Sequence, residues 1–441
     1  MVYKIIVGRD ESDKLKFDDK GLIYIGKQYV KMGQTTSLSN PVYLDVARSH
    51  VVFVTGKRGG GKSYTLGVLA EEMINLPIEV KKNLSIIIFD TMGIFWTMKY
   101  GNEKERDLLE AWGLKSKKLN VDIYTPEGHF EDYKKREIPT DFSFNLKTSE
   151  LNAGDWCNTF GVGLTSDIGV AIERIVNNTK EKCGASYGIK EIIQMLKKDK
   201  NVDHNVKNAV ENRFLAADSW GLFSDEGTKI KDIVKGGKIS IIDISCYSNV
   251  SGNWGIKSLV IGLIAKKLMN ERVNSRKAEE TKSIEKSQSL FFEDDEEGSM
   301  PLVWLFIDEA HEFLPKEGVT AATDALIQVL REGRQPGVSL VLASQQPGEI
   351  HKDVITQSDI VISHRLTAKK DIDALNDMMQ SYLTRDILDY LNGLPRLKGS
   401  AIVLDDNSER IFPIRVRPRF TWHGGEAPTS VKLKKKSFLE D

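Results

Sequence analysis

The stretch that decides the fold is Val51-Val-Phe-Val-Thr-Gly-Lys-Arg-Gly-Gly-Gly-Lys-Ser-Tyr-Thr-Leu-Gly-Val-Leu-Ala-Glu-Glu-Met73. Its first five residues are apolar and rich in β-branched side chains, which predicts a buried strand. The last ten are typical of a helix. The residues between them fit the pattern G-x-x-x-x-G-K-[ST]. A strand, a glycine-rich turn and a helix in this order predict a phosphate-binding loop.

Each position of this loop has a chemical role. Its glycines allow backbone N–H groups to curl around β- and γ-phosphates, and the helix N-terminus adds partial positive charge. We expect Lys62 to reach the phosphate oxygens and Ser63 to ligate Mg²⁺. The predicted nucleotide-binding positions are Gly56, Gly59, Gly60, Gly61, Lys62, Ser63 and Tyr64.

Composition restricts the class of protein. The chain has 441 residues, of which 40% are hydrophobic and 28% charged, as in a globular protein with two or three sub-domains. A net charge of −1 argues against a uniformly basic surface, so any nucleic-acid contact must come from local patches or an assembled ring. The three cysteines lack metal-site spacing and predict a reducing compartment. Because the chain has neither a membrane-spanning apolar run nor a secretory signal, we expect a cytoplasmic protein without membrane contact.

Changes in pattern along the chain predict its organisation. Apolar runs dominated by Val, Ile, Leu and Phe predict strands covered on both faces, as in a mainly parallel sheet. These runs are Leu84–Phe89, Ile239–Ile244, Leu302–Ile307, Ser339–Ala343, Ile360–Ser363, Ser400–Leu404 and Ile411–Val416. The highly charged segment 272–299 lacks periodicity and predicts a mobile acidic loop. The predicted units are a short β element at 1–48, an α/β core at 49–148 and 236–420, a helical insertion at 149–235 and a tail at 421–441.

A second motif supplies the carboxylates that phosphoryl transfer needs. The apolar run from Leu302 ends in Asp308 and Glu309, so both acids are expected at the carboxyl edge of the sheet, where ligands bind. We expect Asp308 to hold Mg²⁺ and Glu309 to polarise the attacking water. The order Asp-Glu-Ala-His suggests a superfamily-two helicase, but the further motifs of that class are missing. We therefore predict a packing or hydrogen-bonding role for His311.

Polar residues around the next strand complete the predicted site. Gln345 follows the run Ser339–Ala343 and is placed to touch the γ-phosphate or its water. Arg331 and Arg334 precede that run at a helix end, where an arginine can point at a γ-phosphate held by a neighbouring subunit. The alternative for each arginine is a surface ion pair with Glu332 or Asp324.

These pieces resemble the HerA/FtsK-type hexameric ATPases, with the closest likeness to the HerA branch. The resemblance rests on the phosphate loop, Ile-Ile-Ile-Phe-Asp90-Thr-Met-Gly, Asp-Glu-Ala-His-Glu-Phe-Leu, Arg-Glu-Gly-Arg, Ser-Gln and a closing Ile-Arg-Val-Arg417-Pro. It implies a RecA-like P-loop NTPase core, a homo-hexameric ring, ATP at the subunit interfaces and double-stranded DNA in the channel. It further implies Arg334 as a finger acting on the neighbour, Gln345 as sensor, and Arg417 among the nucleotide-binding residues.

The resemblance also bears on biological role and has two departures. It implies an ATP-driven DNA translocase or helicase in DNA end processing, repair or anti-phage defence, paired with a NurA-like nuclease or a defence effector. Ile94 stands where the HerA branch has glutamate, and the β element at 1–48 is shorter than the barrel on which the nuclease docks. Two alternatives therefore stay open, which are a protein-translocating motor of the secretion or pilus type and a hexameric scaffold that uses ATP as a switch.

Overall fold

The computed structural model describes residues 3–32, 35–250, 252–288, 299–379 and 387–425, which form a large sheet with helices on both faces. Its strands are β1 (Ile5–Val7), β2 (Leu22–Met32), β3 (Thr35–Asp45), β4 (Val51–Thr55), β5 (Leu84–Asp90), β6 (Asp122–Pro126), β7 (Phe142–Phe144), β8 (Leu146–Lys147), β9 (Phe223–Ser224), β10 (Lys238–Asp243), β11 (Leu302–Ile307), β12 (Val338–Ser344), β13 (Ile360–His364), β14 (Ser400–Asp405) and β15 (Arg410–Val416). The helices are α1 (Glu11–Phe17), α2 (Lys62–Asn75), α3 (Ile78–Lys81), α4 (Arg106–Ala111), α5 (Glu127–Lys135), α6 (Ala153–Phe160), α7 (Asp167–Cys183), α8 (Ile189–Lys198), α9 (His204–Asp218), α10 (Ile230–Ile233), α11 (Asn253–Gln288), α12 (Thr323–Glu332), α13 (Lys352–Gln357), α14 (Lys369–Met379) and α15 (Ile387–Gly393).

The main sheet has the strand order β1-β3-β2-β15-β14-β13-β4-β12-β11-β5-β10-β6-β7. The eight strands from β13 to β7 are parallel, whereas β14, β15 and β2 join by antiparallel pairing. The carboxyl ends of the parallel strands therefore meet at one edge. This mainly parallel α/β architecture is the predicted fold class.

Alternating side chains of the central strands feed two separate cores. In β4, Val52 and Val54 belong to one buried cluster and Phe53 to the other. In β11, Phe306 and Leu305 divide in the same way. Since both faces are buried, the strands need apolar residues at every position, which explains their continuous Val/Ile/Leu/Phe runs. All seven of these predicted strands are present, with ends shifted by at most one residue.

The N-terminal strands differ from the short separate element that the sequence predicts. β2 and β3 are eleven residues each and pair with one another. β2 also pairs with β15, so the N-terminal strands extend the central sheet. The pattern of alternating short runs identified the β character but not this continuity, because the pairing partner lies at the other end of the chain.

The segment 272–299 is wrongly predicted as a loop as far as residue 288. Helix α11 is 36 residues long and runs through Gln288, while residues 289–298 lie outside the described part of the chain. Nη2 of Arg276 lies 2.6 Å from Oε2 of Glu280 one turn further on, and this ion pair supports the C-terminal part of the helix. This part of α11 shows no hydrophobic periodicity in the sequence because it buries few apolar side chains.

The structure contains elements that the sequence pattern does not predict. β6 and β7 were not predicted and extend the sheet beyond β10. Helices α6 to α9 fall within the predicted insertion 149–235, together with β9 and α10. Residues 426–441 of the predicted tail lie outside the described part of the chain. None of the described helices is long and apolar enough to cross a membrane.

Candidate nucleotide-binding site

The phosphate loop connects β4 to α2 and requires glycine for two physical reasons. Gly56 has φ 152° and Gly61 has φ 113°, which are backbone conformations that side chains disfavour. A Cβ on Gly56 would also lie 2.6 Å from Cβ of His364. Gly59 has φ 72°, and a Cβ on Gly60 would lie 2.9 Å from the Lys57 carbonyl oxygen. Residues other than glycine would therefore distort this loop.

The two predicted motifs meet at the carboxyl edge of the sheet. The Ser63 hydroxyl donates a hydrogen bond of 2.5 Å to Oδ2 of Asp308. Lys62 and Asp308 are only 6% and 4% exposed. Burial lowers the pKa of Lys62 and raises the pKa of Asp308, because each charged form loses hydration. This environment favours the binding of further compensating charge, as a phosphate and a cation would supply.

Glu309 is held in a conformation that few residues adopt. Its φ of 52° and ψ of 44° are left-handed, which costs a non-glycine residue roughly 1–2 kcal/mol. Its Oε1 accepts a hydrogen bond from the Gln345 amide, whereas its Oε2 is buried and lacks a hydrogen-bond partner among the described residues. Nδ1 of His311 lies 3.7 Å from that oxygen and 3.1 Å from the Ser344 hydroxyl. His311 thus has the hydrogen-bonding role that the sequence predicts.

The donor set at this edge suits Mg²⁺. A serine hydroxyl and an aspartate carboxylate lie in contact, and hard oxygen ligands of this kind are the ones that Mg²⁺ prefers. The orphaned Oε2 of Glu309 is the kind of buried acceptor that a bound water would satisfy. Ser63, Asp308 and Glu309 therefore fit a nucleotide with its metal ion and an attacking water.

The two candidate finger arginines have different surroundings. Nε of Arg331 lies 2.6 Å from Oδ2 of Asp353, an ion pair that the sequence did not indicate. Arg334 is exposed, and none of the described residues forms a hydrogen bond or ion pair with its side chain. It precedes β12 at the edge opposite to the phosphate loop, roughly 20 Å from Gln345 by the length of a seven-residue strand. Arg334 is therefore remote from the site of its own subunit.

The resemblance implies that Arg417 binds nucleotide, but in the structure its side chain lies in a buried ion pair with Glu71. Both terminal nitrogens of Arg417 donate to Oε2 of Glu71 at 3.2 Å, and both side chains are fully buried. Arg419 donates to the other oxygen of Glu71 at 3.0 Å. Burial would raise the pKa of Glu71, but the two guanidinium groups outweigh it and lower that pKa. Glu71 is nine residues beyond Lys62 on α2, roughly 13 Å along the helix, so this ion pair is distant from the phosphate loop. It anchors the segment after β15 to α2.

Tyr64 is partly committed to the same segment. Its hydroxyl donates to Glu105 at 2.8 Å and accepts from the Arg419 backbone N–H at 2.7 Å. Its ring meets the ring of His423 edge-on, with 5.2 Å between centroids. The residue follows the phosphate loop directly, but its hydroxyl binds Glu105 and the backbone of Arg419.

Asp90 organises the loop in which Ile94 replaces the glutamate of the HerA branch. Its carboxylate accepts four backbone N–H groups, from Met92, Gly93, Ile94 and Phe95 at 2.7–3.3 Å. Asp90 therefore stabilises the loop that follows β5, a role that needs no bound phosphate.

Fold and site together define a P-loop ATPase with a RecA-like core. Residues 25–267 match the family described as "Helicase HerA, central domain", and residues 289–418 match "Helicase HerA-like C-terminal". The chain belongs to the HerA helicase family.

Two curated relatives and one solved structure are similar to the chain. A probable DNA double-strand break repair helicase HerA of Methanocaldococcus jannaschii is 29% identical over 181 residues, covering 38% of this chain and 35% of that protein. The chain thus aligns with about a third of that relative's length. A probable helicase of the same organism is 23% identical over 94% of this chain and 72% of its own length. The solved structure of VirB4 of Thermoanaerobacter pseudethanolicus matches 90% of this chain and 97% of its own, with a TM-score of 0.55 and 13% identity, which shows a shared fold.

Proposed function

We propose that this chain is the subunit of a homo-hexameric ring that hydrolyses Mg·ATP at its interfaces and moves along double-stranded DNA. The observation that carries the ATPase is the contact between Ser63 and Asp308. It brings the phosphate loop and the acidic strand end together although 245 residues separate them in the chain. The DNA substrate is supported by the family and by the relative whose name describes DNA double-strand break repair.

The residues divide the chemistry between binding and proton transfer. Lys62 and the loop N–H groups bind the β- and γ-phosphates, while Ser63 and Asp308 would hold Mg²⁺. When bound, the metal neutralises charge that develops on the phosphate oxygens. Glu309 orients a water whose oxygen attacks the γ-phosphorus, and the bond from that phosphorus to the β–γ bridging oxygen breaks. The proton of the water passes to the free Oε2 of Glu309, and ADP and phosphate leave.

Arg334 is proposed to complete the site of a neighbouring subunit. Its guanidinium lies at the sheet edge opposite to its own phosphate loop and has no partner among the described side chains. A second subunit that presents its nucleotide to this edge would place the arginine near the γ-phosphate, where it stabilises negative charge in the transition state. Arg331 is less suited to this role because Asp353 already binds it.

The decisive experiment measures ATP hydrolysis by the purified chain with and without duplex DNA, together with its mass in each condition. We expect a hexamer whose turnover rises when duplex DNA is added, and no turnover from Lys62→Ala. A rate of ATP hydrolysis that does not change when duplex DNA is added would favour the protein-translocating motor or the scaffold. Absence of hydrolysis by a verified hexamer would contradict the ATPase itself.

We further propose a nuclease or a defence effector as the partner of the ring, as the family resemblance implies. Co-purification from the native host, followed by assays for DNA cleavage that depend on Lys62, tests whether such a partner exists.

A further inference from the structure

We propose that His364 is a positioning residue for the phosphate loop, setting the loop's position through the first turn of α2. The inference rests on the proposed ATPase function. His364 ends β13, the strand that pairs with β4 on the side opposite to β12, so it lies beside the start of the loop. Its side chain is 0% exposed. It therefore cannot touch solvent in the described structure, and it acts through the residues that it contacts.

Two hydrogen bonds define the state of the ring. Nδ1 lies 3.1 Å from the Ser400 carbonyl oxygen, which can only accept, so Nδ1 carries the proton. Nε2 then accepts from the Thr65 hydroxyl at 2.9 Å. Burial lowers the pKa of His364 to about 4, so the ring is neutral at physiological pH and can keep this acceptor. The Thr65 contact ties the ring to α2 just after Lys62 and Ser63.

The same side chain lies against the glycines of the loop. A Cβ on Gly61 would lie 3.4 Å from Cε1 of His364, and a Cβ on Gly60 would lie 3.6 Å from its Cβ. A Cβ on Gly56 would lie closer still, 2.6 Å from Cβ of His364. The next residue, Arg365, accepts the Lys57 backbone N–H at 3.0 Å. The glycine turn is thus packed and hydrogen-bonded against the end of β13, and any shift of the ring would shift the N–H groups that surround phosphate.

Conservative substitutions separate the two hydrogen bonds. His364→Gln places an amide near the position of Nε2 and keeps an acceptor for Thr65. His364→Asn places its amide near Nδ1, keeps the donor to Ser400 and leaves Thr65 without an acceptor. Thr65→Val removes the hydroxyl and leaves the ring untouched. If the Thr65 contact positions the loop, Gln should be close to wild type, and Asn and Val should share one defect.

The measurement is the dissociation constant of ADP and of a non-hydrolysable ATP analogue for the intact chain, with the KM and kcat of hydrolysis. We expect His364→Asn and Thr65→Val each to weaken nucleotide binding roughly tenfold, the scale of one buried hydrogen bond. The double variant should be no worse than either single variant, since both remove the same interaction. Thr179→Val is the matched control, because Thr179 is equally buried and its hydroxyl bonds the Ile175 carbonyl in α7.

The outcomes distinguish this inference from the function on which it rests. Failure of the wild-type chain to bind either nucleotide would remove the ATPase proposal itself. A wild type that binds, with folded Thr65→Val and His364→Asn binding equally well, would overturn the positioning role alone. So would equal damage by Gln and Asn, or a loss in Thr179→Val as large as that in Thr65→Val. If the His364 variants fail to fold, Thr65→Val against Thr179→Val decides the matter.

Discussion

The side-chain amide of Gln345 donates a hydrogen bond to Oε1 of Glu309, across the ends of two neighbouring strands. One oxygen of the proposed base is thereby occupied, and Oε2 is left for a water. Gln345 thus holds one carboxylate oxygen of Glu309 in place.

Gln345→Ala should lower turnover and leave nucleotide binding intact. Without the amide, Glu309 loses the partner that fixes its carboxylate, and a loss of about tenfold in kcat corresponds to one such interaction. The dissociation constant of the ATP analogue should stay within about twofold of wild type. Gln346→Ala, at the exposed neighbouring position, is the control. An equal loss in binding and turnover would show that Gln345 holds nucleotide directly.

Lys62→Ala and Glu309→Gln should fail at different steps. Lys62 provides charge for the phosphates, so its loss should weaken nucleotide binding as well as hydrolysis. Glu309→Gln keeps the shape of the site but cannot accept a proton, so ATP should bind while turnover falls by roughly 10²-fold or more. Equilibrium binding and single-turnover hydrolysis separate the two defects. Near-normal turnover in Glu309→Gln would exclude this residue as the base.

The stabilisation of the fold by His50 should be lost as the pH becomes alkaline. It lies 2.6 Å from Asp359 and 3.7 Å from Asp45, whose other oxygen binds Arg9. Burial alone would lower the pKa of His50, but these carboxylates outweigh it and raise the pKa to about 9. Because the folded value exceeds the unfolded value of about 6.5, the stabilisation is fully present below pH 6.5 and is lost as pH rises through 9.

The comparison with His50→Gln tests this pH dependence. The difference in Tm between wild type and variant should be largest near pH 6 and should shrink steadily toward pH 9.5. Asp10→Asn, at an exposed acid, serves as a control without such a trend. A difference that is constant over this range would mean that His50 contributes packing only.

Local motifs are sufficient to predict that the phosphate loop and the acidic strand end lie at one edge of the sheet. Contacts between residues far apart in the chain could not be predicted in this way. Lys62 and Asp308 each end or follow a short segment whose pattern is complete within about ten residues, and parallel pairing then brings such ends together. His364 has no such signal, since its Thr65 partner lies 299 residues away. The contact of Arg417 with Glu71 has no local signal either, because 346 residues separate the two.

The C-terminal part of α11 lacks a sequence signal for a different reason. The C-terminal part of α11 buries few apolar side chains, so the hydrophobic period that identifies helices is absent there. Charge pairs along the helix, such as Arg276 with Glu280, support it instead. Composition alone does not distinguish such a helix from a charged loop.

DNA binding by the assembled chain should be sensitive to salt and indifferent to sequence. A chain with net charge −1 can present a positive channel only through local patches brought together by assembly. Phosphate contacts then dominate, and affinity should fall by roughly 10³–10⁵ between about 50 and 200 mM salt if six to ten phosphates are neutralised. Fluorescence anisotropy with two duplexes of unrelated sequence measures this. A complex that resists salt or prefers one duplex would contradict non-specific backbone binding.

Arg334→Ala should abolish most hydrolysis while sparing ATP binding and the ring. The arginine is distant from its own phosphate loop, so its loss removes transition-state stabilisation from the neighbour only. Finger arginines contribute about 10³–10⁵ in rate in related phosphoryl-transfer enzymes. Arg331→Ala is the matched control, since Asp353 already neutralises that guanidinium, and it should retain most of the turnover.

Mixed rings decide whether Arg334 acts on a neighbouring subunit. An Arg334→Ala subunit keeps a sound phosphate loop but cannot serve its neighbour, whereas a Lys62→Ala subunit has a defective loop but can donate its arginine. Each variant alone should be inactive. Rings assembled from both should contain interfaces that combine Lys62 of one subunit with Arg334 of the next, so ATP hydrolysis should partly recover. Because the finger's contribution is so large, even a minority of repaired interfaces should be measurable. Verified mixed hexamers that stay inactive would place the action of Arg334 within its own subunit or limit it to holding structure.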